Sequence, residues 1–280
     1  MKADIVMWAK NGAKYLPLVL KRIDKVIPQD VVNHKILIDD SSTDGTPEIA
    51  KKHGWMVYKN PEGGIPSGAN EALRHVTAPF FISIEQDILL TRDWWSKISK
   101  YMENPKIAVA QGIRICTHPV LKCLDEYHYS KIKDFTHGYS LDNNLFRTEV
   151  IRELGGFPNK CPFCTDAYIH RRVDESPYQW IMDGTVISQH IRPSLRYELQ
   201  HYGNAIVKCR CKKFDGSAAI VNHGKILLTS PIRAIQVAIQ KNCPNMIWFY
   251  PLYRLQIMKS IFLRRKRNRK LISEKKKKKN

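Results

Sequence analysis

Two carboxylates stand one residue apart, directly after an apolar segment of the chain. Glu85 and Asp87 flank Gln86, and residues 79–84 before them are almost entirely apolar. Hard divalent cations take oxygen ligands of this kind and usually add oxygens from substrate phosphates. We therefore expect this segment to hold Mn²⁺ or Mg²⁺ at the end of a buried strand.

A second acidic string, Asp-Asp-Ser-Ser-Thr-Asp-Gly-Thr, occupies residues 39–46 and also follows a strand-like segment. Asp39, just past that strand, can accept a hydrogen bond from an N–H group of a ligand. Asp40 and Asp44 suit a tight turn, since Asp side chains bond to nearby backbone groups. The alternative is that the whole string is only a turn that caps the following helix.

The surrounding elements determine where these acids lie. Strand patterns occupy residues 3–8, 35–38, 55–58, 79–84 and 107–113, and helical patterns occupy 15–26, 47–53 and 67–76. Strands that alternate with helices indicate an α/β fold with a largely parallel sheet. Ligands bind at the carboxyl ends of such strands, so we expect residues 39–40 and 85–87 to face one pocket.

The second half of the chain has a less regular pattern. Residues 145–154 have the pattern of a strand end leading into a helix, which Gly155-Gly156-Phe157 closes. A short helix is predicted over 166–173, a strand over 181–190 and a longer helix over 194–207.

The string at 39–46 resembles the D-D-x-S-x-D-G-T signature of family 2 glycosyltransferases, which have the GT-A fold. The resemblance extends over residues 3–210, because other motifs follow in the same order. Residues 8–12 stand where the family has its first strand followed by Asn-Glu, and residues 64–70 stand where it has a Gly-rich stretch. Residues 84–88 stand where it has the D-x-D motif, and Gly155-Gly156-Phe157 with Asp166 stands where it has G-G-F followed by Glu-Asp. It implies a Rossmann-like, mostly parallel central sheet with flanking helices, plus a C-terminal helical extension and basic tail.

The resemblance also implies a site for a nucleotide-sugar donor. Asp39 then lies at the base, Asp87 binds the metal, and Glu85 faces the ribose or a metal-bound water. Glu85 departs from the family pattern, which has Asp at this position. The implied donor-binding residues are Trp8, Asn11, Asp39, Asp40, Asn70, Glu85, Gln86 and Arg192.

Three further roles are implied in the second half. Asp166 matches the general base that deprotonates the acceptor hydroxyl for inverting displacement, although Thr165 replaces the family's Glu. A helix N-terminal acid is the alternative for Asp166. His190 matches a metal ligand, with a structural histidine as the alternative. Residues 144–147 match the acceptor side.

The net charge of +20 is unevenly distributed over the 280 residues. Residues 264–280 contain eleven Lys or Arg and one acid, Glu274, so this segment carries +10 and the rest of the chain the other +10. A hydrophobic content of 43% is typical of a folded protein. The basic balance favours anionic partners: nucleotide diphosphates, phospholipid headgroups or nucleic acid.

No signal-peptide pattern and no apolar run of about 18 residues is visible. We therefore expect a cytoplasmic protein, and a peripheral position on the cytoplasmic face of the membrane stays open. Seven cysteines without such a signal suggest free thiols in a reducing compartment. Two alternatives stay open for Cys161, Cys164, Cys209 and Cys211: a zinc site or unpaired thiols.

We predict three parts in the chain. A GT-A catalytic domain covers 1–215, with a nucleotide-binding half over about 1–115 and an acceptor half over about 116–215. A helical segment follows over 216–263, and a disordered polybasic tail over 264–280. The aromatic-rich residues 246–263 suggest an interfacial helix that docks on anionic lipid together with the tail. A helix packed on the catalytic domain is the alternative.

The predicted activity is hexosyl transfer from a nucleotide-diphosphate-sugar to a glycan, lipid-phosphate or protein acceptor, metal-dependent and inverting. A nucleic-acid-binding protein is one alternative, but no such motif is present and acids lie where phosphate would approach. A sugar-nucleotide-synthesising enzyme would carry a Gly-rich loop with Arg after the first strand, which residues 9–13 lack. Glu85 and Thr165 motivate a last alternative, an inactive relative.

Overall fold

The computed structural model describes residues 1–130, 139–161, 163–192, 194–210 and 214–277. The strands in these ranges are β1 (Ala3–Ala9), β2 (Val32–Asp39), β3 (Met56–Lys59), β4 (Phe80–Ser83), β5 (Ile88–Leu89), β6 (Ile107–Cys116), β7 (Asn144–Arg147) and β8 (Gln179–His190). The helices are α1 (Leu16–Val26), α2 (Thr46–Lys52), α3 (Gly64–His75), α4 (Trp94–Ile98), α5 (Pro119–Tyr129), α6 (Thr148–Glu153), α7 (Thr165–Asp174), α8 (Leu195–Lys208), α9 (Gly216–Leu228), α10 (Ser230–Gln240) and α11 (Met246–Lys277), with a 3-10 helix over Ser99–Glu103.

The chain divides into two compact units. The first contains Met1–Thr117 and Ile132–Ile191, and the second contains His118–Lys131 and Arg192–Asn280. This division differs from the predicted boundary at residue 215. The reason is that α8 packs against α11, so that α8 belongs with the C-terminal helices.

One sheet forms the centre of the first unit. Its strands lie in the order β3-β2-β1-β4-β7-β6-β8-β5. β1 pairs in parallel with β2 and β4, and β2 with β3, which confirms the predicted Rossmann-like half. β7 is antiparallel to both β4 and β6, and β5 is antiparallel to β8, so the second half of the sheet is mixed.

The core of the first unit lies on both faces of this sheet. Every residue of β1 is buried, as expected for a central strand with helices on both sides. α1 buries Leu16, Val19, Leu20, Ile23 and Val26, the positions that the helical spacing predicts. Because the strands are fixed between these layers, their carboxyl ends present loops 10–13, 40–46 and 84–87 at one edge of the sheet.

The second unit is helical in its described residues. α11 runs over Met246–Lys277, so residues 264–277, which we predicted to be disordered, are helical in the structure. Arg264 explains part of this difference, because its buried guanidinium lies 2.9 Å from Asp215 and also donates to the carbonyl of Cys209. In the described part of the chain, no helix has the length and apolar character that crossing a membrane requires.

Candidate active site

The loop after β1 is tied to the loop after β2 by polar side chains. The N–H of Asn11 donates to Ser42 Oγ at 2.9 Å, and Asn11 Oδ1 accepts from the N–H of Thr43 at 2.9 Å. Asn11 has a φ of 51°, in the left-handed region that asparagine tolerates well. Asn11 was predicted to bind the donor, and in the structure its side chain holds the two loops together.

Asp44 completes this connection. Its carboxylate accepts hydrogen bonds from the N–H of Ala13 at 3.0 Å and from the N–H of Thr46 at 3.1 Å. Burial raises the pKa of Asp44, but the hydrogen bonds from Thr46 and Ala13 together lower this pKa by more than burial raises it. The net pKa therefore lies below the ordinary value for Asp. The predicted turn role of Asp44 therefore agrees with its contacts.

Asp39 and Asp40 lie at the carboxyl end of β2, as predicted. Asp39 is buried and accepts from the N–H of Ser42 at 3.1 Å. Asp40 accepts from the N–H of Gly64 at 3.3 Å and lies 3.5 Å from the Nζ atom of Lys10. This pair thus sits beside the half-exposed cation of Lys10, on the rim where the sequence placed it.

Gln86 joins the two acidic segments through Lys10. Its side-chain amide donates to the carbonyl of Lys10 at 3.0 Å and accepts from the N–H of Lys10 at 2.9 Å, like a strand neighbour. Because Lys10 also contacts Asp40, the segments at 39–40 and 85–87 reach the same residue. The expectation that they share one edge of the sheet agrees with this geometry.

Asn70 and Trp8 both lie against Phe157 of the Gly-Gly-Phe turn. The Asn70 amide donates to the carbonyl of Phe157 at 2.8 Å and accepts from its N–H at 2.9 Å. Trp8 packs edge-on against the Phe157 ring at 6.4 Å, and its buried Nε1 has no hydrogen-bond partner among the described residues. These contacts fix the turn on α3 and β1, while the predicted donor contacts of Trp8 and Asn70 stay predictions.

Glu85, Asp87 and His190 form a cluster that could hold a metal ion. One ligand atom of each lies within 4.8 Å of the others, and His190 Nε2 is 3.4 Å from Asp87 Oδ2. His190 is buried, whereas Glu85 and Asp87 are partly exposed. Two carboxylates and an imidazole suit Mg²⁺ or Mn²⁺, with room left for oxygens of a substrate.

Strand pairing explains why Asp87 and His190, which are 103 positions apart, meet here. Ile88 of β5 pairs with His190 of β8, and the N–H of Ile191 donates to the carbonyl of Asp87 at 2.8 Å. β8 is also parallel to β6, where Cys116 is the partner of His190. The backbone therefore fixes Asp87 and His190 side by side before any ion is bound.

Arg114 and Asp142 are parts of this site that the sequence analysis missed. The Arg114 guanidinium contacts the Asp142 carboxylate and lies 3.9 Å from Glu85. Asp142 is fully buried, and although burial raises its pKa, the charges of Arg114 and His190 hold the pKa below its usual range. The sequence did contain one signal for Arg114, because it is the one charged residue in the otherwise mostly apolar strand β6.

Asp166 lies in the first turn of α7, and the charges of Arg114 and Asp142 affect its pKa. Burial raises the pKa of Asp166, the N–H of Ala167 and the charge of Arg114 lower it, and Asp142 raises it again. The net pKa is above the ordinary value for Asp. A carboxylate with a raised pKa is a better proton acceptor, which is the property that a general base needs.

Arg192 is the predicted donor-binding residue that belongs to the second unit. Its Nε lies 3.3 Å from Glu198 Oε2, and its guanidinium lies over the ring of Tyr197 at 5.9 Å. These are contacts within the second unit, so its donor contact stays a prediction.

The cysteine pairs are only partly described. Cys161 and Cys164 lie in the first unit, and Cys209 lies in the second. Cys211 lies outside the described residues. The choice between zinc and unpaired thiols therefore stays a prediction.

Solved structures with a similar fold come from several organisms. The mannosyltransferase PcManGT of Pyrobaculum calidifontis, in complex with GDP-Man and Mn²⁺, is similar over 95% of this chain and 86% of its own, with a TM-score of 0.64 and 18% identity. S. aureus TarS (residues 1–349) with UDP-GlcNAc is similar over 94% and 90%, with a TM-score of 0.55 and 13% identity. Glucosyl-3-phosphoglycerate synthase of Mycobacterium tuberculosis, with Mn²⁺, UDP and phosphoglyceric acid, is similar over 74% and 76%, with a TM-score of 0.56 and 14% identity.

These likenesses confirm the GT-A fold. Because the sequence identities are low, they show the fold alone. None of the curated proteins matches the chain in sequence. The sequence model of glycosyl transferase family 2 matches residues 4–165, more than half of the chain, and this span contains both acidic strings and ends just before Asp166. The chain therefore belongs to glycosyl transferase family 2.

Proposed function

We propose that this chain is a metal-dependent, inverting hexosyltransferase that moves a sugar from a nucleotide-diphosphate-sugar to an acceptor. The acceptor is a glycan, a lipid phosphate or a protein. The observation that carries the proposal is the cluster of Glu85, Asp87 and His190, whose ligand atoms lie within 4.8 Å of one another on the rim that also carries Asp39 and Asp40.

The rim has the parts that a nucleotide diphosphate requires. Asp39 accepts hydrogen bonds and is positioned at a strand end, where a base N–H would meet it. Lys10, more than half exposed beside Asp40, supplies a cation for an anionic donor. The similar mannosyltransferase and phosphoglycerate synthase structures contain a nucleotide or nucleotide sugar together with Mn²⁺, which supports a donor of this class.

Asp87, His190 and Glu85 are the residues that would hold Mn²⁺ or Mg²⁺. Their oxygen and imidazole ligands fit these ions, and the antiparallel pairing of β5 with β8 holds two of them in place. When bound, such an ion neutralises the charge that develops on a departing diphosphate.

Asp166 is the proposed general base. It lies at a helix N-terminus, and its raised pKa favours uptake of the proton from an acceptor hydroxyl. Arg114 connects the two ends of the site, because it lies near Glu85 and its charge acts on Asp166. An acceptor that is already ionised, such as a lipid phosphate, would not require this proton transfer.

The test compares donor hydrolysis and sugar transfer in two variants. Asp87→Asn is expected to lose both activities with Mn²⁺ by at least about 10–100-fold, because a metal ligand is removed and the loss of a mere hydrogen-bond partner of a ligand already costs that much. Asp166→Asn is expected to keep nucleotide binding and lose transfer by about 10²–10⁴-fold. Glu149→Gln, an exposed acid on α6, is the matched control and should keep full activity.

Two outcomes would contradict the proposal. Full activity of Asp87→Asn with a supplied metal would show that the cluster does not serve the reaction. No donor turnover by the wild-type chain, with any uridine or guanosine diphosphate sugar and Mn²⁺, would favour an inactive relative.

A further inference from the structure

Helix α10 presents an apolar stripe to solvent. Ile232, Ile235 and Ile239 are 65%, 51% and 76% exposed, and their spacing of three and four residues places them on one side of the helix. The opposite side, with Ala234 and Val237, is buried. Helix α10 therefore has apolar residues on both sides, although one of those sides faces solvent.

Helix α11 has an exposed stripe of the same spacing. Its apolar part contains Trp248, Leu252, Leu255 and Phe262, at intervals that keep them on one side. Continuing this spacing, Lys266 and Arg269 are exposed cations that line a pocket with Phe262. Aromatic and aliphatic side chains thus give way to basic ones along a single face.

The charge of this region indicates which partner it fits. Residues 216–273 contain no Asp or Glu, whereas Lys and Arg recur throughout them. A second copy of this surface would bring like charges together, and therefore self-association is disfavoured. An anionic surface with an apolar layer beneath it is complementary to both the cations and the isoleucines.

The helix lengths determine how such a surface can bind. With 11 residues, α10 is about 16 Å long, and the hydrocarbon layer of a bilayer is about 30 Å thick. It is too short to cross, but an amphipathic helix of any length can lie at the interface. Tryptophan is the aromatic residue most suited to that interface, and Trp248 is exposed.

We propose that α10 and the exposed stripe of α11 dock the second unit on a bilayer that contains anionic phospholipid. The exposed isoleucines of α10 and Trp248 enter the interface, and Lys266 and Arg269 bind headgroup phosphates. This docking is independent of the proposed sugar transfer, whose candidate metal cluster and general base lie in the first unit.

The test is sedimentation of the full chain with two kinds of vesicle, phosphatidylcholine alone and equal parts phosphatidylcholine and phosphatidylserine. The wild type is expected to bind only the anionic vesicles. Ile232→Ser/Ile235→Ser/Ile239→Ser and Lys266→Gln/Arg269→Gln are each expected to weaken binding by on the order of ten-fold or more. Raised salt should weaken the binding of the wild type to anionic vesicles about as much as Lys266→Gln/Arg269→Gln does, because salt screens the charges that this variant removes.

Matched substitutions in the first unit serve as controls. Leu18→Ser removes an exposed apolar side chain from α1, and Lys51→Gln/Lys52→Gln removes two exposed charges from α2. Both should bind vesicles like the wild type. A second measurement needs no destabilising change: brominated lipid should quench tryptophan emission in the wild type and much less in Trp248→Phe.

Three results would overturn the proposal. They are equal binding of the wild type to both vesicles, unchanged binding of both stripe variants, and a triple isoleucine variant that alters self-association in light scattering instead of vesicle binding. Donor hydrolysis measured without lipid should be unchanged in every stripe variant. Failure of docking is thus distinguishable from failure of the proposed function.

Discussion

The pair of Arg114 and Asp142 allows a quantitative test of the electrostatics of the first unit. Asp142 is fully buried, and Arg114, 28% exposed, contacts it directly. Arg114→Met keeps much of the side-chain volume and leaves the Asp142 carboxylate buried without this cation. Removing one partner of a buried ion pair costs about 3–5 kcal/mol, so we expect the free energy of unfolding to fall by that amount.

A second substitution separates this effect from lost packing. Asp142→Asn in the Arg114→Met chain removes the buried charge that Arg114 no longer balances, so the double variant should recover about 2–3 kcal/mol of the loss. Arg171→Met is the control, because Arg171 of α7 forms an exposed pair with Glu175, the residue that follows this helix. Exposed pairs of this kind contribute little to stability, so Arg171→Met should unfold like the wild type.

The assay is urea unfolding of the full chain, followed by circular dichroism, for the wild type, both single variants, the double variant and the control. The reasoning would be refuted if Arg114→Met lay within about 1 kcal/mol of the wild type, since the buried Asp142 carboxylate would then have lost the cation in direct contact with it at almost no cost. It would also be refuted if the two single losses simply added in the double variant.

Three other substitutions test the packing of the chain and the titration of Asp166. Gly112→Ala should lower the free energy of unfolding by about 1–3 kcal/mol, because the new Cβ would lie 2.9 Å from the carbonyl oxygen of Val186. Gly224→Ala should raise the free energy of unfolding by about 0.5–1 kcal/mol, because alanine is favoured over glycine within a helix such as α9. Urea unfolding measures both changes. Transfer by the wild type should fall as pH drops through the raised pKa of Asp166, and this limb should be absent from the residual transfer by Asp166→Asn. A raised pKa contributes stability at low pH that is lost as pH rises through it, so Asp166→Asn should not be less stable at neutral pH; a clear loss would indicate a structural role instead.

Local patterns predicted much of the fold. The apolar run of β1, the helical spacing of α1 and the acidic ends of β2 and β4 depend on neighbouring residues, and the structure has these elements within one to three residues of the predicted bounds. The sequence predicted one helical segment over 216–263 and did not separate α9 from α10. Their isoleucines and leucines occupy several sides, so the sequence shows no clear polar face to mark them.

The candidate site was only partly predictable. The motifs predict that Asn11, Asn70 and Gln86 belong to the site, but their bonds to backbone groups of distant segments appear only in the fold. Arg114 and Asp142 meet because β6 and β7 pair in antiparallel register, with Gln111 opposite Asn144. Long-range pairing of this kind leaves no local signal in a single sequence.

The most direct measurement of the central claim is thermal unfolding with UDP or GDP, with and without Mn²⁺. A ligand that binds only the folded chain raises the melting temperature by mass action. One of the nucleotides is expected to raise the melting temperature of the wild type and of Glu149→Gln more with Mn²⁺ than without it. In Asp87→Asn the metal-dependent part should be lost. No shift with either nucleotide, or an equal metal-dependent shift in Asp87→Asn, would contradict a donor site built on Glu85, Asp87 and His190.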